Sequence, residues 1–407
     1  MSEVILGSAV FVAIVLLLAI SVLFVRAVLV PSRPVKITLN HNRQITAKTG
    51  TKLLSALGEA GIAIPSACGS AGTCGQCRVQ IVDGPPAAVQ TETAILSRRD
   101  IAAGVRLACQ TTLRNDLSIE LPATALNAKT LECRVISSKT VAPLIREIIL
   151  ELPNDAQFSF VPGEFVTITA PAYSLQFTEY DIAPEHKTAW AQMGLDELTS
   201  SSTSEETRAY SIATHANDSA GQITLLIRLA LPPHDQKGVP PGIVSSWLFG
   251  LRNGDCITVS GPFGTFAAQD NDREMVFIGG GVGMAPLRAM ISDQLVRKKT
   301  TGKISFWFGA RSLIDLFYED EFERLEEAHP NFNWTAALSD PLPEDNWQGE
   351  TGFIHEVALR CGLSQHPAPH NCDYYLCGPP LMIKAVLAML DDLGIDPSHI
   401  FYDDFGA

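Results

Sequence analysis

Hydrophobic residues follow successive patterns along the chain. An uncharged apolar run, Val4–Val25, comes first. Segments with alternating apolar and polar positions follow up to Pro122 and again from Leu131 to Ala268, which indicates β-strands because strand side chains alternate between faces. From Met275 onwards, short apolar runs alternate with helical patterns, as is typical of a parallel sheet covered by helices. We therefore predict a multidomain chain.

The apolar run has the length and the flanks of a transmembrane helix. As a helix, Val4–Val25 spans ~33 Å, which is enough to cross a bilayer. Arg26 and Arg33 follow it, so the positive-inside rule places the bulk of the chain in the cytoplasm. A signal peptide would have a basic start and a shorter apolar core, and a core helix would have a polar face. We predict one span over residues 4–26, with residues 1–3 outside.

Residues 35–122 carry the elements of a small β-grasp domain. A turn at Asn40–Asn42 separates two alternating segments, and Thr51 is placed to cap a short helix that Gly61 ends. The predicted strands are Val35–Asn40, Arg43–Ala47, Arg78–Val82 and Leu117–Leu121, and the helical segments are Lys52–Ala60 and Thr91–Leu96.

Two further domains follow. Residues 129–268 predict a small β-barrel, and residues 274–407 predict an open parallel sheet with helices on both faces. The predicted barrel strands are Cys133–Ser137, Ile145–Leu152, Phe165–Ile168, Arg208–Ile212, Ile223–Leu229 and Asp255–Ser260. The predicted strands of the last domain are Met275–Ile278, Ile304–Gly309, Phe332–Leu338 and Asp373–Cys377, and its helices are Leu287–Lys298, Tyr318–Ala328, Phe353–Leu359 and Pro380–Leu393.

A polar segment, Phe177–Thr207, interrupts the barrel. It carries five glutamates and a serine run. Long segments without their own structure are uncommon unless they are functional. We therefore interpret 177–207 as an insertion, either a disordered loop or an element that docks a partner.

Four cysteines have the spacing of an iron–sulfur site. Cys68, Cys74 and Cys77 lie within ten residues that also contain three glycines, and Cys109 is a fourth candidate ligand. A 2Fe–2S cluster needs four thiolates, and the glycines let backbone amides approach the cluster. Zinc is the alternative, but its sites usually pair two short cysteine knuckles. The first gap is one residue longer than in plant-type ferredoxins, a departure that resembles adrenodoxin-like and reductase-associated ferredoxins.

Composition narrows the choice of partner. The net charge of -14 argues against nucleic acid as a partner. The nine cysteines are too unevenly placed for a disulfide framework, which agrees with a cytoplasmic location for the thiols.

The barrel holds candidate FAD-binding residues. Arg208 and Tyr210 share one face of a predicted strand, where arginine can clamp a pyrophosphate and tyrosine can lie against the flavin ring. The hydroxyl of Ser211 can bond flavin N5. Residues suited to a diphosphate at a helix start follow, although helix capping alone would also explain the serines: Gly242, Ser245 and Ser246.

The last domain holds candidate NADH-binding residues at two strand ends. A glycine run follows the first strand, and a Cys-Gly-Pro-Pro sequence ends the fourth. Ligands bind at the carboxyl ends of such strands. We expect Pro286 to be the first helical residue, and Cys377 to lie either at the nicotinamide or simply buried at a strand end. The candidate residues are Gly279, Gly280, Gly281, Gly283, Pro286, Cys377, Gly378 and Pro379.

The terminal residues and the second strand end add weaker signals. Phe405 is placed to cover the flavin face, unless the C-terminus is a frayed tail. Arg311 and Ser312 could read a 2′-phosphate, whereas the acidic residues nearby, such as Asp315 and Glu319, would repel one. The residues alone leave NADH and NADPH open.

These motifs resemble a known family. Arg208-Ala-Tyr-Ser, Gly279-Gly-Gly-Val-Gly-Met-Ala-Pro and Cys377-Gly-Pro-Pro, in that order, resemble the ferredoxin–NADP reductases. The apolar run, the 177–207 segment, 338–347 and the closing Asp-Asp-Phe-Gly together resemble the family of F subunits of the bacterial sodium-translocating NADH:quinone oxidoreductases, over essentially the whole chain.

The resemblance implies a function. It implies a chain that oxidises NADH, passes hydride to FAD and single electrons to a 2Fe–2S cluster, and serves ubiquinone through a six-subunit complex of the bacterial inner membrane. It also implies that Ser211, Cys377 and an acidic residue, Asp403 or Asp404, surround the transfer site. The alternatives are the soluble reductase component of a multicomponent oxygenase and a membrane-anchored ferredoxin without enzymatic activity.

Overall fold

The computed structural model describes residues 11–18, 21, 33–66, 70–121, 128–232 and 239–404. These residues form two compact units, one containing Met1–Ile64 and Ser70–Pro122 and the other Pro65–Gly69 and Ala123–Ala407. Most of the span predicted over 4–26 lies outside the described residues, and 11–18 are helical. Among the residues described, no helix is both long enough and apolar enough to cross a bilayer.

The first unit is built on a five-stranded mixed sheet in the order β2-β1-β5-β3-β4. The predicted hairpin is present, and β5 pairs in parallel with β1. The strand β4 and the helix α3 were not predicted. The elements are β1 Pro34–Leu39, β2 Arg43–Lys48, α1 Leu53–Glu59, β3 Arg78–Ile81, α2 Gln90–Thr93, α3 Arg98–Ala102, β4 Val105–Leu107 and β5 Leu117–Glu120.

The start of α1 differs from the prediction. Lys52, not Thr51, is the N-cap residue, and its side chain does not cap the helix. Instead, the first amides of α1 donate to carbonyls of a distant segment: Leu53 N–H to Thr111 O at 2.9 Å and Leu54 N–H to Ala108 O at 3.1 Å. A tertiary contact thus satisfies the N–H groups at the start of the helix that a capping side chain would otherwise bind.

The second unit begins with an antiparallel six-stranded barrel in the order β11-β8-β13-β6-β7-β12. An isolated bridge between Ile212 and Leu225 extends β11 alongside β12 and links the two ends of the order. All six predicted strands are present, and their apolar positions form one buried core. The strands are β6 Lys129–Ala142, β7 Ile145–Glu151, β8 Phe165–Ala170, β11 Glu206–Ser211, β12 Gln222–Arg228 and β13 Cys256–Phe263.

The 177–207 segment is folded, so its interpretation as a disordered loop is wrong. The strands β9 (Tyr173–Gln176) and β10 (Thr199–Ser202) form a hairpin that encloses the helix α4 (Lys187–Gln192). Phe177, Tyr180 and Trp190 of the segment are buried together in the barrel core. Three large aromatics, which stand among polar residues in the sequence, therefore anchor the segment in the barrel core.

The rest of the second unit is a six-stranded parallel sheet in the order β17-β16-β15-β14-β18-β19, as predicted for an α/β domain. The two edge strands, β17 and β19, were not predicted. The strands are β14 Glu274–Gly280, β15 Ile304–Ala310, β16 Phe332–Leu338, β17 Glu350–Thr351, β18 Cys372–Gly378 and β19 Ile400–Asp404. The helices are α5 Ile243–Phe249 in the barrel part, then α6 Met284–Ser292, α7 Glu319–Ala328, α8 Ile354–Cys361 and α9 Pro380–Asp392. The α6 helix continues as a π-helix, Asp293–Arg297.

A buried arginine joins the barrel to the α/β part of this unit. Arg288 of α6 donates to both carboxylate oxygens of Glu321, each at 2.7 Å, and to the backbone carbonyl of Ala213 in the barrel at 2.6 Å. It lies 3.6 Å from the carboxylate of Asp218 and stacks over the ring of Tyr318. Although burial lowers the pKa of Arg288, hydrogen bonding to Glu321 and the nearby charges raise it overall, so the guanidinium stays charged.

Loss of this guanidinium should destabilise the second unit. In Arg288→Met, the carboxylates of Glu321 and Asp218 and the carbonyl of Ala213 lose their buried cation, and we expect the free energy of unfolding to fall by about 3 kcal/mol. The control is Arg360→Met, whose pair with Glu350 is exposed on both sides, so we expect a loss below about 1 kcal/mol. Urea unfolding followed by tryptophan fluorescence measures both, and equal midpoints for the two variants would contradict the proposed importance of Arg288.

Candidate functional site

Three of the four predicted cluster ligands are described; Cys68 lies outside the described residues. Cys77 directly precedes β3, and Cys109 follows β4, its antiparallel neighbour. The two thiols are in hydrogen-bonding contact. The hydrogen bond from Cys77 lowers the pKa of Cys109 to about 6, whereas contact with Cys109 and burial raise the pKa of Cys77. The contact therefore favours ionisation of Cys109 and opposes that of Cys77. Because all four cluster ligands bind as thiolates, the charge of bound iron would have to ionise Cys77 as well.

The segment that bears Cys109 is held from both sides. The first amides of α1 donate to the carbonyls at 108 and 111, and the Gln110 side chain donates to the carbonyl of Ser70 at 3.1 Å. Gly72 has a φ of +78°, and a Cβ there would approach Gln110 Nε2 to 2.6 Å. A side chain at Gly72 would therefore collide with the residue that fixes the loop. These contacts preorganise the loop for a cluster, and the described residues fit the group.

The candidate flavin residues lie on β11 as predicted. Ser211 is buried, whereas Arg208 and Tyr210 are partly exposed on the opposite face. The Arg208 guanidinium is held by the carbonyl of Thr207 at 2.7 Å and by Glu206 at 3.2 Å. Burial raises the pKa of Tyr210, so its hydroxyl stays protonated. An oriented guanidinium beside a tyrosine ring on one face can bind a flavin with its diphosphate.

Helix α5 carries the second candidate flavin segment. Gly242 is its N-cap, and no side chain caps the helix, so the capping alternative for the serines is not observed. The Ser245 hydroxyl donates to the carbonyl of Gly242 at 3.0 Å and accepts the amide of Ala230 at 3.2 Å. The Ser246 hydroxyl is fully buried and has no partner among the described residues. A buried hydroxyl without a partner is costly, and it leaves an unused donor beside the start of α5.

The structure brings the candidate NADH residues to one edge of the parallel sheet. Gly279 at the end of β14 pairs with Cys377 at the end of β18. The glycines at this edge have different structural roles. A Cβ on Gly283 would lie 1.9 Å from the carbonyl oxygen of Cys377, so Gly283 is required for close packing of the loop on β18. Gly281 has a φ of +56° with open space around it, so only its backbone occupies the position where a dinucleotide would approach.

Two details of this edge differ from the sequence-based expectation. Pro286 is the third residue of α6, not the first, although it still lies in the first turn, where its missing N–H is harmless. The alternative of a frayed tail is wrong for residues 400–404, which form the strand β19: Asp403 pairs with Cys377, and Asp404 pairs with Gly378. The backbone of both aspartates is thus at the predicted transfer site, while Phe405 lies outside the described residues.

The candidate residues for reading a 2′-phosphate are engaged with acidic groups. Ser312 donates to the carboxylate of Asp315 at 3.0 Å, and Arg311 lies 3.4 Å from the carboxylate of Asp340. A carboxylate in each pair would repel a phosphate, which favours NADH.

Sequence reasoning missed the residues that position these segments. Tyr173 and Tyr180 donate to backbone carbonyls of α5, at Ile243 and Ser246, over 2.6 Å and 2.8 Å. Tyr180 of the 177–207 segment and Tyr173 of the strand just before it therefore position the candidate flavin helix. The available signal was a pair of tyrosines around the start of the insertion, but their partners are about seventy residues away, and sequence spacing gives no indication of them.

Comparison with protein families assigns three regions. Residues 37–114 match the 2Fe-2S iron-sulfur cluster binding domain, 195–267 the oxidoreductase FAD-binding domain, and 277–388 the oxidoreductase NAD-binding domain. The predicted cofactors FAD, 2Fe–2S and NADH are thereby confirmed.

Solved structures share the fold. The Amycolatopsis cytochrome P450 reductase GcoB has a TM-score of 0.65 at 25% identity and covers 91% of this chain and 98% of its own. The ferredoxin reductase of a carbazole 1,9a-dioxygenase has a TM-score of 0.58 at 22% identity and covers 92% and 99%. A ferredoxin domain joined to a ferredoxin-reductase-type FAD and NAD module is therefore the fold of this chain.

Full-length relatives are more similar than these structures. The F subunit of the Na(+)-translocating NADH-quinone reductase of Pseudoalteromonas atlantica is 45% identical over 100% of both chains. That of Serratia proteamaculans is 45% identical over 99% of this chain and 100% of its own, and that of Neisseria meningitidis is 44% identical over 99% and 100%. The chain belongs to the family of F subunits of the Na(+)-translocating NADH-quinone reductases.

Proposed function

We propose that this chain oxidises NADH and is the electron-input subunit of a sodium-translocating NADH:ubiquinone reductase. One observation carries the proposal. This chain is 45% identical over its full length to a member of the family, and it contains a 2Fe-2S-binding, an FAD-binding and an NAD-binding domain. When bound, FAD accepts a hydride and releases electrons singly, and the 2Fe–2S cluster takes one electron at a time.

The residues of the second unit bind and orient. We propose that Arg208 and Tyr210 hold FAD, with Gly242, Ser245 and Ser246 near its diphosphate. Arg288 fixes the barrel against the α/β part. The distance between the proposed flavin site and the proposed nicotinamide site therefore stays constant. Such positioning matters because small displacements of reacting atoms slow a transfer step strongly.

The sheet edge supplies the groups around the nicotinamide. We propose that the glycine loop at 279–283 with Pro286, and the Cys377-Gly378-Pro379 turn, enclose NADH. Ser211, Cys377 and Asp404 would then surround the transfer site, and Phe405 would cover the flavin face. Cys377 is fully buried in this strand end, which suits a water-poor site.

Cys68, Cys74, Cys77 and Cys109 are the proposed ligands of the cluster. The domain bounds 35–122, 129–268 with the 177–207 insertion, and 274–407 remain our proposal, as does a partner-docking role for that insertion.

The soluble oxygenase reductase alternative is not favoured, because the full-length relatives are 45% identical to this chain and the oxygenase-type reductase structure only 22%.

We further propose that residues 4–26 anchor the chain by a single span in the bacterial inner membrane. Residues 1–3 would lie outside and the rest on the cytoplasmic side, beside the other integral membrane subunits of a six-subunit complex. The described part of this segment is helical, and its large apolar side chains are exposed, for example Leu17 at 70% and Phe11 at 68%. Contiguous exposed apolar residues of this kind mark a surface that binds lipid or protein.

Removal of the flavin clamp should release FAD. We expect Arg208→Ala and Tyr210→Ala to purify folded with less than about a tenth of wild-type FAD. Each variant loses a contact with FAD, and a loss of about 1.4 kcal/mol lowers the affinity tenfold. The ratio of flavin absorbance to protein measures this. Arg228→Ala, which removes an exposed arginine from the end of β12, is the control. If the FAD content of these variants equalled that of the control, Arg208 and Tyr210 would not be FAD-binding residues.

Loss of a cluster ligand should separate the two electron-transfer steps. We expect Cys68→Ala to lose the 2Fe–2S absorption and onward electron transfer while NADH still bleaches the flavin at the wild-type rate in stopped-flow measurements. Cys256→Ser, an exposed cysteine of the barrel, should retain both steps. If flavin reduction itself disappeared in folded Cys68→Ala protein, the proposed order of FAD before the cluster would be wrong.

Deletion of residues 1–32 should release the protein from membranes. Without the apolar run, the chain loses the burial of its exposed side chains in lipid, so we expect it in the soluble fraction with its FAD content retained. Fractionation with flavin assay measures this, and the full chain is the reference. Recovery of the deleted protein in membranes would contradict the anchor.

The experiment that tests the whole proposal is purification of the full chain from bacterial membranes. Co-purifying subunits would be identified, and NADH oxidation would be measured with and without sodium. We expect other membrane subunits and sodium-stimulated ubiquinone reduction. Isolation of the chain alone, with sodium-independent activity, would contradict it.

A further inference from the structure

A second group of metal-ligating side chains lies at the opposite edge of the parallel sheet from the glycine loop. Glu274 is the first residue of β14, and Cys372 is the first residue of β18. The two are paired neighbours in parallel strands, so their side chains lie on the same face. His366, from the loop before β18, brings Nε2 to 3.1 Å from Glu274 Oε2. None of the three belongs to the proposed FAD, NADH or cluster sites.

The three ligand atoms lie close enough to share one ion. The carboxylate oxygen, the imidazole nitrogen and the thiol sulfur are all within 4.8 Å of one another. In a tetrahedral zinc site with bonds of about 2.0–2.3 Å, ligand atoms are about 3.3–3.7 Å apart. The separations between ligand atoms therefore need to shorten by about 1.5 Å at most to reach those of a zinc site.

We propose that Glu274, His366 and Cys372 form a binding site for Zn²⁺. The donor set combines one thiolate, one imidazole and one carboxylate, which are the ligand types that zinc takes. Magnesium and calcium prefer oxygen ligands only, so this set selects against them.

The surroundings give the ion a path and give the ligands support. The side chains of His366 and Glu274 are 19% and 22% exposed, whereas Cys372 is fully buried. Zinc can therefore enter from solvent and reach the thiol at the base of the site. Water would fill the fourth position, as it does in three-ligand zinc sites.

Binding requires two proton changes. His366 Nδ1 accepts the amide of Ala368 at 3.2 Å, so Nε2 carries the proton that is donated to Glu274. In the zinc form this proton moves to Nδ1 through solvent, and the long contact with Ala368 is lost. The Cys372 thiol releases its proton to solvent as the Zn–S bond forms. Both changes involve only water as the proton acceptor or donor, and no electron transfer occurs.

The site would fasten the loop at 363–371 to the starts of β14 and β18. Cys372 begins β18, and Cys377 lies near the other end of the same strand. Because the proposed zinc site is at the opposite edge from the nicotinamide, its loss should leave flavin reduction by NADH unchanged.

The test uses the full chain with FAD and the 2Fe–2S cluster in place. The protein is loaded with ZnCl₂ and freed of excess metal, zinc and iron are counted by mass spectrometry, and affinity is measured by competition with a chromophoric chelator. We expect about one zinc per FAD, and an X-ray absorption spectrum with one sulfur at about 2.3 Å and nitrogen or oxygen at about 2.0 Å.

Variants assign the ligands. Cys372→Ser and His366→Gln should each weaken zinc binding at least ~10-fold, the lower end of the cost of losing even an outer-shell partner. Glu274→Gln keeps an oxygen that can accept the hydrogen bond from His366, so it should fold normally and still bind zinc at least ~10-fold more weakly. Cys256→Ser is the matched control and should bind like wild type.

Several results would overturn the proposal. These are no retained zinc, equal affinity in Cys372→Ser and wild type, an unchanged affinity in Glu274→Gln, or an absorption spectrum with a sulfur-only shell. The last would indicate that zinc had entered the cluster cysteines, which a matching loss of iron would show. None of these results bears on NADH oxidation, so the proposed function is tested separately.

Discussion

The second unit depends on one buried guanidinium. Arg288 comes from the helix that follows the glycine loop, and it binds a backbone carbonyl of the barrel and a carboxylate of the next helix at the same time. An isolated charge would be very costly at such a position, and the paired carboxylates make it tolerable. Tyr318, under the guanidinium, also donates to Glu147 of β7. The barrel and the parallel sheet, which carry the candidate flavin and nicotinamide residues, are thus held together.

Close backbone packing imposes a second constraint. The loop after β14 lies directly on the end of β18, and the carbonyl of Cys377 occupies the space that a side chain at Gly283 would need. Gly281, two residues earlier, is open. One glycine run therefore contains residues with different functions: some permit packing, and one leaves room for a ligand. The edge strand β19 completes this region by placing the two C-terminal aspartates beside Cys377 and Gly378.

In the first unit, contacts with a residue segment distant in sequence likewise position the loop that bears Cys109. Amides at the start of α1 bind the carbonyls on either side of Cys109, so the helix fixes the loop in place of a local cap. The contact between Cys77 and Cys109 then favours the thiolate form of one ligand. Preorganised ligands of this kind cost less entropy when a cluster binds.

Local patterns in the amino-acid sequence were enough to establish the domain types, the strands of the barrel, most of the α/β sheet, the cofactors and the family. They were enough because alternation, cysteine spacing and glycine runs are properties of neighbouring residues. Other features became known only from the folded chain: the 177–207 segment is folded, β19 exists, and Pro286 is the third residue of its helix. Folding also brought together Arg288 with Ala213, and Glu274 with His366 and Cys372. These features rest on contacts between residues many positions apart, and such contacts depend on packing, which no local pattern encodes.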